Sequence, residues 1–127
     1  MTKPENVLEA WVELLNTGDI EGLLNLYDRK AILIPTFSDS IFNTPFKLGE
    51  YFRTLGSRKG LNVSLQKQTL IVQDLQKDIF SLSGIYSWSF YIDGKLKSFD
   101  ARFSYLIDVS KANPILQHHS SQTPQKL

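Results

Sequence analysis

The sequence predicts an α+β fold in which N-terminal helices pack on a sheet of long antiparallel strands. Apolar residues recur at helical spacing through residue 56 and then alternate with period two from Leu61 onward. The order itself, helices first and a strand meander afterwards, argues against alternating βαβ units. At 127 residues and 42% hydrophobic content, the chain can build one core and not two. A single domain over residues 1–122 with a polar tail at 123–127 is expected.

The first helix opens at Thr2-Lys3-Pro4-Glu5, a capping-box spacing with proline in the first turn. Val7, Leu8, Trp11, Leu14 and Leu15 form its apolar stripe, and Gly18 supplies the stop. Asp19 caps a second, short helix with Ile20, Leu23, Leu24 and Tyr27 on one side. Ala31-Ile32-Leu33-Ile34 reads as a short strand ended by Pro35, and residues 36–43 are turn-rich. Thr44-Pro45 opens a third helix carrying Leu48, Tyr51, Phe52 and Leu55 before Gly56.

The strands follow. Leu61, Val63 and Leu65 alternate in the first, then Phe80, Leu82, Tyr86, Trp88, Phe90 and Ile92, then Phe99, Ala101, Phe103, Tyr105 and Ile107. Asp93-Gly94 between two such runs signals a type I′ hairpin, because that turn needs positive φ at both central positions. Asp74 to Asp78 and Ser110 to Asn113 supply the other turns, and Pro114 begins the last strand.

Composition excludes several function classes. Fourteen Lys+Arg against thirteen Asp+Glu leave a net charge of +1, too little field to hold nucleic acid through many phosphates. The absence of cysteine removes disulfides, thiolate nucleophiles and thiolate zinc sites, and suits a reducing cytoplasm. No stretch reaches membrane-spanning length and no secretory leader pattern opens the chain, so a cytoplasmic location is expected. Gly56-Ser57-Arg58-Lys59-Gly60 lacks the Gly-Lys-Ser/Thr ending of a P-loop and reads as a solvated loop. His118 and His119, adjacent on one strand, face opposite sides of the sheet and cannot chelate a metal together; no metal or other cofactor is expected.

Four strings, in order, resemble a known family. Asn16-Thr17-Gly18-Asp19-Ile20-Glu21 is similar to an Asn-Gly-Asp-Phe-Glu helix junction, and Tyr91-Ile92-Asp93 to a Tyr-Leu-Asp before a hairpin. Asp100-Ala101-Arg102-Phe103 resembles a Glu-Thr-Arg-Val strand. The closing run from Ile115 to Ser121, followed by Pro124, resembles Ile-Val-His-Phe-His-Arg-Ser with its later proline. These belong to the association (hub) domain of calcium/calmodulin-dependent protein kinase II, in the nuclear transport factor 2-like superfamily, which also holds the SnoaL-like proteins. The resemblance implies helices closing one face of a curved sheet around a cone-shaped pocket. No kinase signature is present.

The resemblance further implies that Arg102 matches a pocket arginine able to hold a carboxylate, for which a guanidinium offers a planar fork. The alternative is a structural ion pair with Asp100 or Asp28. By the same match His119 faces the pocket, with Gln117 and Ser121 beside it by alternation, while Ser87 and Ser120 stand where the family has further arginines. Tyr27, Tyr86 and Trp88 are candidates to line an apolar ring-binding cavity, whereas Trp11 and Phe52 read as core. With Arg102 inward, Phe99, Ala101, Phe103, Tyr105 and Ile107 form an uncovered apolar face, and a homodimer through that face is expected.

Three functions follow as expectations. One is a stand-alone, non-kinase oligomerising domain with a pocket for a small acidic or apolar ligand. A second is an isomerase or cyclase of the ketosteroid isomerase or SnoaL-like type, using Asp100, Asp39 or His119 as base. The third is a pure interaction module, its cavity filled by its own side chains.

Overall fold

The computed structural model describes residues 3–127. In chain order it forms α1 (Pro4–Asn16), α2 (Ile20–Leu24), β1 (Tyr27–Ile34), α3 (Pro45–Gly56), β2 (Asn62–Asp74), β3 (Ile79–Ile92), β4 (Lys95–Asp108) and β5 (Ile115–Gln122).

Pro4 opens α1 behind Lys3, and the capping box expected at Thr2 lies outside the described residues. The buried stripe of α1 is Val7, Leu8, Trp11 and Leu15. Asp19 caps α2 by accepting from the Gly22 N–H at 2.9 Å. That helix ends at Leu24; Tyr27, assigned to it by spacing, instead opens β1. Thr44 accepts from the Lys47 N–H at the start of α3, whose Leu48, Phe52 and Leu55 are buried.

The strands lie in the order β1-β5-β4-β3-β2. Neighbours from β2 to β5 pair antiparallel, but β1 runs parallel to β5, so the sheet is mixed and not wholly antiparallel as expected. Asp93 and Gly94 both take positive φ, as a type I′ turn requires. The β2–β3 turn holds Gln76, Lys77 and Asp78 all at positive φ, an arrangement that non-glycine residues adopt only when their surroundings hold them there. The Asp74 carboxylate accepts from the Gln76 N–H and the Asp78 carbonyl accepts from the Val109 N–H, each at 2.9 Å.

A bulge interrupts β2 between Gln66 and Ile71. The Thr69 hydroxyl bridges it, accepting from the Ile85 N–H at 2.8 Å and donating to the Gln66 carbonyl at 2.7 Å. At the other end of β2, the Asn16 side chain bonds both the N–H and the C=O of Val63 at 2.8 Å, standing in for a neighbouring strand.

The helices pack on one face only: α1 against β2 and β3, α3 against β1. That face carries Val63, Leu82, Tyr86, Trp88, Ala101, Phe103, Tyr105 and Ile107, all buried. The expected orientation of β4 is therefore reversed. Its apolar residues meet the helices and form the core, while Asp100, Arg102, Ser104 and Leu106 point away. No helix among the described residues is long and apolar enough to cross a membrane.

Candidate functional site

Between helices and sheet the side chains interlock around His118. Its ring stacks on Tyr105 with centroids 3.9 Å apart and meets Trp11 edge-on at 5.3 Å. Nδ1 lies 2.7 Å from the Tyr27 hydroxyl and Nε2 3.1 Å from that of Tyr86. One relay satisfies these groups: Trp11 Nε1–H donates to the Tyr27 oxygen, Tyr27 donates to Nδ1, and Nε2–H donates to Tyr86. Thr36 and Ser120 hydrogen-bond beside them.

Burial, and secondarily the adjacent His119, push the His118 imidazole down to about 3. It stays neutral at physiological pH and is a structural member of the cluster. Burial likewise raises the phenols of Tyr27, Tyr86 and Tyr105. The free volume left among Trp11, Tyr51, Tyr86, Trp88, His118 and Ser120 is about 10 Å³, space for one water and not for a ligand. Tyr27, Tyr86 and Trp88 are thus packed into the core.

His118 takes the inward position expected of His119, and Ser120 sits beside it; His119 is exposed on the outer face with Ser121. Register pairs Arg102 with Ser121 and Ser104 with His119. The four line a shallow depression of about 280 Å³, where His119 Nε2 and Ser121 Oγ are 2.9 Å apart. Arg102, His119 and Ser121 do come together, then, but outside and away from the aromatic residues. Asp100, also outward, accepts from the Ser87 hydroxyl at 2.6 Å. The expected ion-pair alternatives for Arg102 are not formed, and Asp28 pairs with Lys111 at 2.5 Å.

A third feature lies at the mouth of the interior, an open depression of about 710 Å³ floored by Phe37, Phe90, Phe99 and Leu55. Phe37 packs edge-on against Trp88, Phe90 and Phe99 with centroids 5.3 to 5.6 Å away, and its N–H donates to the Tyr51 hydroxyl at 3.3 Å. It plugs the space between mouth and core. The Arg58 guanidinium lies 5.1 Å above the Phe90 ring, and Asp39 stands at the rim. Arg58 belongs to the loop read from sequence as merely solvated. Among the described residues, no group of three or more His, Asp or Glu could hold a metal ion.

Solved structures share this fold. A protein from Xanthomonas campestris described as a calcium/calmodulin-dependent protein kinase II association domain superposes with a TM-score of 0.85, at 22% identity over 96% of this chain and 86% of that one. The chain has the nuclear transport factor 2-like fold. A ketosteroid isomerase-like protein from Erwinia carotovora atroseptica follows at TM-score 0.79, 13% identity and coverage of 95% and 94%. A nuclear transport factor 2-like protein with a cystatin-like fold, from Novosphingobium aromaticivorans, gives 0.75, 12% identity and coverage of 95% and 80%. No protein-family model matches the sequence, and no curated protein matches it by sequence. Within this nuclear transport factor 2-like fold, the chain's own aromatic residues occupy the space between helices and sheet.

Proposed function

We propose that the chain is a non-catalytic homo-association domain that dimerises through the outer face of its sheet. The observation that supports this reading is the contrast between the two faces. Around His118 the inner one leaves only about 10 Å³ of free volume, while no helix among the described residues packs on the outer one. The apolar residues of the outer face include Ile85, Leu106 and the exposed Ile71, Leu96 and Ile32, with Ser83, Ser87, Ser104 and Ser121 among them. Small side chains leave that surface low, which suits face-to-face stacking of two sheets at about 10 Å. The Xanthomonas neighbour, described as an association domain, agrees with this reading.

The isomerase reading has less support. Among the described residues, the buried polar or charged ones are His118 and Ser120, with no carboxylate. Asp39 stands at the mouth and Asp100 on the outer face, so proton transfer inside would lack its base.

A second reading rests on Arg58. A guanidinium held over Phe90 at the edge of an apolar floor suits a small aromatic acid, its ring on Phe37 and Phe99 and its carboxylate on Arg58. Calorimetric titration with phenylacetate tests it. Binding lost in Arg58→Ala supports the reading, and binding indifferent to that change contradicts it.

Native mass spectrometry of the purified protein tests the main proposal, since one spectrum reports subunit number and any retained small molecule. A dimer is expected; an exclusively monomeric chain at micromolar concentration contradicts it.

A further inference from the structure

If two copies associate through the outer face, as proposed above, that face contains a charge that must be answered. Arg102 is exposed there, opposite Ile85 on β3 and Ser121 on β5. The ion pairs among the described residues are Arg53–Glu21 and Lys111–Asp28, and neither engages Arg102. Apposing a second sheet would take its guanidinium out of water. A buried unpaired charge is strongly destabilising, so a stable interface needs a carboxylate at this point.

Two carboxylates share the outer face of β4. Asp108 is at the end of the strand, bonded to the Ser110 N–H and hydroxyl at 3.0 and 2.6 Å. Asp100 is two residues from Arg102, about 7 Å along the strand. It is exposed and held upright by the Ser87 hydroxyl at 2.6 Å.

The two residues are self-complementary under one symmetry operation. A two-fold axis between the sheets, perpendicular to β4 and passing opposite Ala101, lays each Asp100 over the Arg102 of the other copy. An axis parallel to β4 instead sets Arg102 over Arg102 and Asp100 over Asp100, which repel. The neighbouring Ser87, Ser104 and Ser121 are short enough to let a guanidinium and a carboxylate span two sheets at about 10 Å. We propose that Asp100 and Arg102 form a reciprocal pair of intersubunit ion pairs that sets the antiparallel register of the dimer.

Charge variants test this, resting on the association reading but separable from it. Asp100→Arg carries two cations at the site and Arg102→Asp two anions, and both positions are exposed, so the fold is unaffected. Each variant alone is expected to dimerise about tenfold or more weakly than wild type. An equimolar mixture is expected to give the heterodimer in native mass spectra, and the double swap Asp100→Arg/Arg102→Asp to regain the homodimer. A wild type that is monomeric overturns the association reading and this inference with it. A dimeric wild type whose single variants dimerise equally well, with no preference for the heterodimer in the mixture, overturns the ion pairs and leaves the association standing.

Discussion

The Tyr27 hydroxyl lies 2.7 Å from Nδ1 of His118, linking the first residue of β1 to the strand that runs parallel to it. The contact sits in the core, where burial keeps the histidine uncharged and makes stability depend on pH. An unfolded chain protonates the residue near the ordinary value of 6.5, whereas the folded one resists until about 3. Between those values the unfolded state binds the extra proton, so the contribution is complete above about pH 6.5 and is lost as pH falls toward 3. Urea unfolding is expected to show the protein about 2 kcal/mol less stable at pH 5 than above 6.5 from this group. His118→Gln should flatten that part of the profile; an unchanged slope would mean His118 is not the group responsible.

The same relay separates two tyrosines of similar burial. Tyr27→Phe strips partners from both Trp11 Nε1 and His118 Nδ1, and a loss of about 2 kcal/mol or more is expected. The Tyr105 hydroxyl is buried without a hydrogen bond of acceptable geometry, so Tyr105→Phe should change stability by less than about 1 kcal/mol. Equal losses in the two denaturation curves would contradict the relay.

Asn16 acts as a surrogate strand for the edge of β2. Asn16→Ala removes both hydrogen bonds to Val63, and a loss of about 1–3 kcal/mol is expected in thermal or urea unfolding. Amide exchange at Val63 should accelerate in parallel, and unchanged protection there would show that the side chain does not hold the edge.

Much of the fold was legible because its signals are local. The caps at Asp19 and Thr44 and the Asp93-Gly94 turn depend on residues within a few positions of one another. The parallel pairing of β1 with β5 depends on strands that meet only in three dimensions, and nothing near Tyr27 announces it. Three successive positive φ values at Gln76, Lys77 and Asp78 were equally hidden, since no glycine marks them.

The orientation of β4 is not legible in the sequence for a different reason. Alternation places Arg102 and Phe103 on opposite faces but does not say which face is covered. Resemblance to a pocket arginine implies an inward Arg102, which the fold does not have. A balance of surfaces points the other way: the apolar stripes of α1 and α3 require an apolar sheet face, and Ala101, Phe103, Tyr105 and Ile107 supply it. The choice between His118 and His119 follows from the same balance, because Tyr105 pairs directly with His118 in register.

Sedimentation equilibrium of wild type beside Leu106→Asp tests the central claim most directly. Leu106 points outward from β4 and is not among the buried core residues, so the variant should fold with the circular dichroism of wild type, melting lower only by the stability that association adds. The expected result is twice the 14.5 kDa chain mass for wild type and the single-chain mass for the variant at the same micromolar concentration. A monomeric wild type, or a variant as dimeric as its parent, would contradict association through this face.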